Sequence, residues 1–363
     1  MRLFDRFLGR GAGSVTVPVM DGPFLPNQKL EQAEFVCAAP DADNLMLVDR
    51  HLLATSGDRL LRLTASVSGE TFECVQRFER RIASAASNGE AIAIGLDGGG
   101  VLVQGGAFDG ARLGDKEPSL LRCPTALAWL DDSTLAVCNG SAWLEARQWR
   151  RDLMETGASG SVWMIDLRKA SLAKIADGLG WPAGVALSPG GGLYVAESWR
   201  HRILLMGVSR EGVSTVLSNL PAYPARLTRS AKGGFWMTFY SARNQLVEFI
   251  LQEDGYRRRM LAEVPEPYWM APALGSGSSF KEPMQGSQLK QMGVLKPYAA
   301  SRSYGLVAYC SADMKPLGAF HSRADGRRHG AISACEHGEV LYVASRGASA
   351  VVRVSDAVKS VLE

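Results

Sequence analysis

Two charged residues near the starts of predicted strands could do chemistry together. Glu34 and Arg226 fall near the starts of such strands, and a fold that brings these starts together would place both side chains in one pocket. An arginine binds a carboxylate or a developing oxyanion through its planar fork, and a glutamate in a dry site has a raised pKa that suits a base. We therefore expect Glu34 and Arg226 to be the catalytic residues, acting on a small anionic or amine-bearing ligand.

The histidines and cysteines indicate no metal chemistry. The five histidines have no metal-ligand spacing, and the six cysteines form neither a CxxC motif nor a Cys/His cluster. His321 and His329 flank the sequence RADGRR, and a paired-histidine base there is the alternative to the charge pair. The glycine-rich stretch 95–100 lacks the lysine and helix of a phosphate loop, so it is expected to be a hairpin turn. The sequence thus predicts no metal and no cofactor.

A repeated plan positions the candidate residues. Each copy is a short apolar strand, a turn rich in Asp, Ser, Pro or Gly, and a second strand of β-branched and aromatic residues, which is the pattern of a hairpin. Its period of roughly 35 to 60 residues is typical of propeller blades. The copies predict an all-β fold, a six-bladed β-propeller, and they occupy residues 44–64, 91–106, 126–141, 184–198, 227–241 and 332–346.

Two stretches interrupt the repeats. Residues 142–158 carry helix formers and predict a helical insertion. Residues 262–302 are rich in Pro, Gly and Ser and predict a long excursion over one face. That excursion is expected to be either a lid over the central mouth or a structural cover.

Four stretches resemble a known family. The sequence is similar to the strictosidine synthase-like proteins, which belong to the six-bladed propeller group that also holds gluconolactonase, regucalcin and paraoxonase. The resemblance runs from about residue 30 to 355 and implies the propeller fold. It is carried by WLEARQWRRDLMETGASGSVWMIDL (143–167), GLGWPAGVALSPGGGLYVAESWRHRI (178–203), LPAYPARLTRSAKGGFWMTFYSARN (220–244) and ISACEHGEVLYVASR (332–346).

The resemblance also implies an axial calcium site in the lactonases, and this sequence departs from it. Glu34 falls near the position of the family's first-blade glutamate, but Thr125, Ala183 and Ala225 stand where the later blades supply Asn or Asp. Arg226 adds a cation beside them. Calcium needs several hard oxygens, so a calcium-dependent lactonase is disfavoured and a metal-independent site is expected.

The catalytic glutamate of the strictosidine synthases is missing as well. The resemblance places it at the start of the last blade's inner strand, where this chain has Ile332. A true strictosidine synthase is thus not expected. Three alternatives stay open: a metal-independent hydrolase or condensing (lyase-type) enzyme, a non-catalytic small-molecule-binding or scaffold propeller, and a lactonase-type hydrolase. The expected substrate-binding residues are Asn88, Thr125, Trp181, Ala183, Tyr240, His321 and Ile332.

Composition limits the partners. The chain has 363 residues, 46% of them hydrophobic, and 40 basic against 37 acidic residues leave a net charge of +3. Such a balance lacks the basic excess of a nucleic-acid-binding protein, so a small-molecule ligand is expected instead. The sequence does not predict the oligomeric state.

The amino terminus predicts the location. Its charges interrupt the apolar region that a secretory signal would need, and no apolar run approaches the roughly 18 residues of a membrane span, so a cytoplasmic protein is expected. We expect residues 1–30 to form an extension and 31–363 a single propeller domain. Leu3, Phe4, Phe7 and Leu8 would share one face of a short helix, which either docks on its own domain or touches a membrane.

Overall fold

The computed structural model is a six-bladed β-propeller, which confirms the predicted fold. Six four-stranded antiparallel sheets, the blades, are arranged around a central axis. The structure describes residues 17–67, 69–115, 120–208, 212–275, 279, 281–283, 290–291, 294–295, 303–323 and 326–363. The predicted amino-terminal helix lies outside these residues.

Each blade runs from an inner strand at the axis to an outer strand at the rim. The first strand of the chain is β1 (Glu34–Ala38), which belongs to the last blade. Blade one contains β2 (Ala42–Val48), β3 (His51–Ser56), β4 (Arg59–Ser66) and β5 (Gly69–Arg77). Blade two contains β6 (Ile82–Ser87), β7 (Ile92–Leu96), β8 (Gly100–Gln104) and β9 (Arg112–Leu113). Blade three contains β10 (Pro124–Asp131), β11 (Thr134–Asn139), β12 (Gly160–Asp166) and β13 (Ser171–Leu179).

The other three blades follow the same plan. Blade four contains β14 (Pro182–Leu187), β15 (Leu193–Glu197), β16 (Arg202–Met206) and β17 (Val213–Leu217). Blade five contains β18 (Ala222–Arg229) and β19 (Phe235–Ala242), then, after an insertion that holds the hairpin β20 (Lys290–Gln291) and β21 (Val294–Leu295), β22 (Gly305–Cys310) and β23 (Pro316–Ser322). Blade six contains β24 (Ala331–His337), β25 (Val340–Ser345) and β26 (Ala350–Val354), and β1 is its outer strand.

Helices are short and few among the described residues. The α-helices are α1 (Trp149–Met154), α2 (Gln245–Gln252), α3 (Asp254–Glu263) and α4 (Ala357–Leu362). Single 3-10 turns are formed by Gly22–Phe24, Gly106–Phe108, Ala146–Gln148, Ser198–Arg200, Glu266–Tyr268 and Arg346–Ala348.

The repeat predicted for the second blade is displaced by one strand from the observed blade. The repeat predicted at 91–106 covers β7 and β8, whereas the inner strand β6 precedes it. That strand reads IASAAS, and its alanines and serines have low β-propensity. Small side chains are accepted there because the inner strands converge on the axis.

Ring closure joins the two ends of the folded chain. Strand β1 pairs antiparallel with β26, so a segment from the beginning of the chain completes the blade built by its end. This arrangement removes the exposed edges that an open sheet would present. Six apolar clusters fill the spaces between neighbouring blades, one for each pair.

The inner strands share a feature that shapes the axis. Near the start of each one the pairing with its neighbour shifts register, as between Pro124 and Ala126 or between Pro182 and Gly184. Such bulges bend a strand and redirect a side chain. We call the face on which the inner strands begin the upper face.

Both insertions emerge on this upper face. Residues 142–158 connect the second and third strands of blade three and contain the predicted helix, α1. The second insertion connects the second and third strands of blade five, but it begins with α2 and α3, before the predicted boundary at residue 262. Its apolar residues Ile250 and Met260 pack with Leu153 and Met154 of the first insertion. The two insertions therefore support each other above blade four.

A buried charge in β1 should open the ring. Val36 is 8% exposed within the cluster between blades six and one, whereas Phe35 beside it is 52% exposed. We expect Val36→Asp to lower the free energy of unfolding by about 3 kcal/mol or more, since an unpaired charge is then buried. Phe35→Asp, the matched control, should cost under about 1 kcal/mol. Urea unfolding measures both, and equal losses would contradict a closing role for β1.

Candidate active site

A small cavity lies on the axis at the upper face. It has a volume of about 120 Å³. We call it the upper cavity, and its lining residues are Asp43, Arg81, Ile82, Ala83, Thr125, Ala146, Arg147, Trp149, Ala225, Arg226, Tyr240, Ile332 and Arg346.

Arg226 crosses the axis beneath this cavity. Its Nε and Nη2 donate to the two oxygens of Asp43, each at 2.9 Å. Its Nη1 donates to the carbonyl of Thr125 at 2.6 Å, and Nη2 also donates to the carbonyl of Ala83 at 3.1 Å. One side chain from blade five thus joins the inner strands of blades one, two and three. Within the described part of the chain, four hydrogen bonds occupy four of its five N–H donors, which leaves one on Nη1.

The Arg226 contact controls the charge of Asp43. Burial alone would raise the pKa of this carboxyl group, but the charge and hydrogen bonds of Arg226 and the charge of Arg346 lower it below its usual value. Asp43 is therefore ionised at neutral pH. Its Oδ2 lies 3.9 Å from Nη1 of Arg346.

A second group of charges surrounds the mouth. Asp41 forms ion pairs with Arg346 and with Arg81, the latter at 2.5 Å. Together with Asp43 and Arg226, these residues place three cations against two anions. The cavity is thus weakly positive, which favours an anionic ligand.

Trp149 of the first insertion and Tyr240 of blade five form an aromatic wall of the cavity, and two tryptophans of blade four lie behind it. Trp149 stacks on Tyr240 with ring centroids 4.9 Å apart, and Trp181 stacks on Trp199 at 5.6 Å. Trp181 Nε1 donates to the Tyr240 hydroxyl at 3.3 Å. Burial raises the pKa of Tyr240, although Arg226 and the Trp181 bond oppose this effect. Because the hydroxyl stays protonated and already accepts one bond, it can donate its own proton into the cavity.

Of the nine expected site residues, four line the cavity together. These are Thr125, Arg226, Tyr240 and Ile332. Trp181 and Ala183 are fully buried behind this wall, in one apolar cluster with Cys123 and Trp149.

The predicted Glu34–Arg226 pair is not formed. Glu34 lies on the outer strand β1, where its exposed carboxylate contacts Arg353 at 2.5 Å. A hydrogen bond from Arg353 lowers the pKa of Glu34, so the residue is a surface ion pair. The carboxylate that faces Arg226 is Asp43. The acid at the axis therefore lies one strand later in the chain than the sequence predicts.

Two further expected residues also lie away from the axis. Asn88 is in the exposed turn between β6 and β7, where its Oδ1 accepts bonds from the backbone N–H groups of Glu90 and Ala91. His321 is fully buried on the outer strand β23, where its Nδ1 lies 3.0 Å from the Tyr304 hydroxyl. Burial lowers the pKa of His321 to about 4, so it is neutral at physiological pH. Neither residue can act in the upper cavity.

Sequence reasoning missed Asp43, Arg81, Arg346 and Trp149. Asp43 did carry a signal, because it is the second residue of an inner strand, as are Ala83, Thr125, Ala183 and Ile332 in their blades. Applying one register to all six repeats would have selected it. Arg81 and Arg346 lie outside the inner strands, and Trp149 lies in an insertion. The repeat therefore contained no signal for these three.

Two buried aspartates hold the first insertion in place. Asp97 accepts a bond from the N–H of Ala146 at 2.8 Å, and Asp152 accepts one from Trp199 Nε1 at 2.8 Å. Burial raises the pKa of each carboxyl group to about 6, although these bonds oppose the shift. Both aspartates are mostly ionised at neutral pH and take up a proton in mild acid.

The fold and the site together define a class: a six-bladed propeller with a small, weakly cationic axial cavity under an aromatic cover. Within the described residues, no three His, Cys, Asp or Glu side chains are grouped as a metal site. No helix in that part of the chain has the length and apolar character needed to cross a membrane.

The comparisons with known proteins agree with this class. The NHL repeat matches residues 179–204, which cover the first strands of blade four. The chain is 29% identical over 109 residues to the adipocyte plasma membrane-associated protein of zebrafish (Danio rerio), which is 29% of this chain and 26% of that protein. The protein of the same name from Salmo salar is 26% identical over 128 residues, which is 33% of this chain and 30% of the relative. The chain thus matches less than a third of the length of these relatives.

Similarity to a solved enzyme structure extends over nearly the whole fold. The gluconolactonase of Xanthomonas campestris superposes with a TM-score of 0.52 at 13% identity, and the match covers 89% of this chain and 88% of that one. The predicted resemblance to the strictosidine synthase-like and gluconolactonase group of propellers is confirmed by the fold and by these relatives.

Removing the guanidinium should destabilise the ring. We expect Arg226→Met to lower the free energy of unfolding by about 3 kcal/mol, because Asp43 is left buried without its main partner. The double variant Arg226→Met with Asp43→Leu should recover most of this loss, since the unpaired charge is removed as well. Urea unfolding of the parent, both single variants and the double variant gives the coupling energy. Additive losses would contradict the pairing.

The two aspartates should make stability depend on pH. A carboxyl group whose pKa is raised by folding stabilises the native state at low pH, and this contribution is lost as pH rises from about 4 through about 6. We expect Asp97→Asn and Asp152→Asn each to be about 1 to 2 kcal/mol more stable than the parent at pH 8, with the difference vanishing near pH 4. Urea unfolding across this range checks the sign. A parent that gains stability over the variants as pH rises would contradict it.

Proposed function

We propose that the upper cavity binds a compact organic anion without a metal ion and that its reaction is hydrolysis of the lactone type. The observation that carries the proposal is the Arg226 guanidinium, which lies on the axis between Asp43 and Thr125 and keeps one N–H free. Similarity of fold to a gluconolactonase supports the choice of reaction.

The axial residues do not fit calcium. Ala83, Ala183, Ala225 and Ile332 offer no side-chain oxygen at their inner-strand positions. Thr125 donates its hydroxyl to the carbonyl of Pro182 at 2.5 Å, and both oxygens of Asp43 are engaged by Arg226. Calcium prefers six to eight oxygen ligands. In this proposal, the fixed positive charge of Arg226 takes the place of the cation.

The size of the cavity limits the ligand. Its volume of about 120 Å³ is below the roughly 300 Å³ at which ordinary ligand pockets begin. It is close to the roughly 150 Å³ of a cavity that accepts a benzene ring. We infer a small hydroxy acid or its lactone, or the acidic end of a larger molecule.

The lining residues suit opening of a lactone ring. The free N–H of Arg226 and the hydroxyl of Tyr240 would donate to the carbonyl oxygen as it becomes negative. Asp43 would orient the attacking water and accept its proton, although its lowered pKa makes it a weak base. Water adds to the acyl carbon, and the ring C–O bond breaks as the leaving oxygen takes the proton back from Asp43. The carboxylic acid formed then loses its proton to solvent, which gives a hydroxy carboxylate that the cationic lining can hold.

A panel of small lactones tests the proposal. We expect hydrolysis, followed by acid release, to survive excess chelator and to fall at least tenfold in Tyr240→Phe, which keeps the ring stack but removes the donor. His321→Ala is the matched control for the alternative base, and it should retain activity if it melts like the parent. Loss of activity on chelation, with recovery on adding calcium, would overturn metal independence.

Binding without catalysis is the second candidate. It is favoured by the same Arg226–Asp43 pair, because a guanidinium and a carboxylate that neutralise each other have little left for substrate. Calorimetry with the hydroxy acids separates the two candidates: binding without turnover of any lactone selects this one.

A cytoplasmic location and the absence of a nucleic-acid partner stay predictions from the sequence. The fish relatives are named as membrane-associated proteins.

A further inference from the structure

A second, larger cavity opens on the face opposite to the insertions. Its volume is about 410 Å³, and residues from all six inner strands line it. We call it the lower funnel. Arg226 lines both this funnel and the upper cavity, so its guanidinium and the bonds that hold it separate the two.

Small side chains create the space. Ala85 and Ala86 of β6, Ala128 of β10 and Gly184 of β14 all line the lower funnel. Gly184 is fixed by packing, because a Cβ there would collide with the carbonyl of Ala225 on the adjacent inner strand. A volume of about 410 Å³ is within the range of roughly 300 to 1,000 Å³ found for small-molecule sites.

Apolar side chains form one part of the wall of the lower funnel. Met46, Leu187 and Trp129 contribute to it. Trp129 donates its Nε1 to the carbonyl of Ala86 at 3.1 Å, so the polar edge of the indole is satisfied. The rest of the ring offers apolar surface, and covering such surface favours binding by about 25 cal/mol per Å².

One charged residue at the funnel is uncommitted. Arg226 is held by Asp43, and Glu336 accepts bonds from the N–H of Ala231 and from Trp236 Nε1. Arg229 is exposed at the end of β18, and no hydrogen bond or ion pair of its side chain is found within the described part of the chain. Arg229 can therefore pair with a ligand.

We propose that the lower funnel is a second ligand site, specific for an amphipathic organic anion. The apolar tail of the ligand lies against Met46, Trp129 and Leu187, and its carboxylate pairs with the Arg229 guanidinium. Such a ligand satisfies both features of the funnel, since a neutral molecule leaves the cation unused and a small hydroxy acid leaves the wall uncovered. The site does not depend on the reaction in the upper cavity.

Octanoate and its neutral counterpart octanol test the proposal on the full-length protein. Calorimetry should show saturable binding of one octanoate per chain and at least tenfold weaker binding of octanol. We expect Arg229→Ala to weaken octanoate binding about tenfold, which corresponds to one charge-assisted hydrogen bond. Arg229→Lys should recover part of the affinity. Arg168→Ala, an exposed arginine in the hairpin turn between β12 and β13, is the matched control and should bind octanoate like the parent.

The second test fills the lower funnel with a larger side chain. Ala128→Phe and, independently, Ser87→Phe should abolish octanoate binding while the thermal melt stays close to that of the parent. Because two positions are used, loss of folding in one variant still leaves a test. Absence of octanoate binding to the parent would overturn the proposal. Equal affinity for octanol and octanoate would also overturn it. So would octanoate binding that is unchanged both in Arg229→Ala and in a folded variant with the funnel filled.

Discussion

The ion pair between Arg226 and Asp43 is the contact on which the centre of this propeller depends. In a ring of blades, each inner strand packs against its two neighbours, so most contacts are local. The Arg226 guanidinium is different because it reaches across the axis and joins blade five to blades one, two and three. Its planar arrangement of donors suits this role, since it can bind a carboxylate with two bonds and still reach two backbone carbonyls. The same contact separates the two axial cavities.

The two insertions on the upper face pack together, and the first places side chains around the upper cavity. The first insertion brings Trp149 onto Tyr240, and the second packs Ile250 and Met260 against Leu153 and Met154 of the first. Ala183, the second residue of the inner strand of blade four, packs behind this aromatic wall. The first insertion thus supplies part of the lining of the upper cavity.

The buried aspartates differ in the direction in which their pKa values are shifted. Asp43 and Arg226 stabilise one another, and the pKa of Asp43 is lowered below its usual value. Asp97 and Asp152 are buried with neutral donors only as their direct partners, so their pKa values rise to about 6. Asp43 and Arg226 therefore remain paired over a wide pH range. Asp97 and Asp152 each hold the first insertion on the ring, but their ionisation lowers the free energy of unfolding at neutral pH.

The sequence by itself determined the propeller, because alternating strands and turn residues are local features that recur in every blade. It also determined that Thr125 and Ala183 lie near the starts of inner strands, which the preceding prolines mark. Only the tertiary structure decided which acid faces Arg226. Glu34 and Asp43 are nine positions apart and chemically similar, but the ring closes through β1, so Glu34 is carried to the rim and Asp43 to the axis. Ring closure joins residues that are hundreds of positions apart, and no local pattern records which strand will complete the last blade.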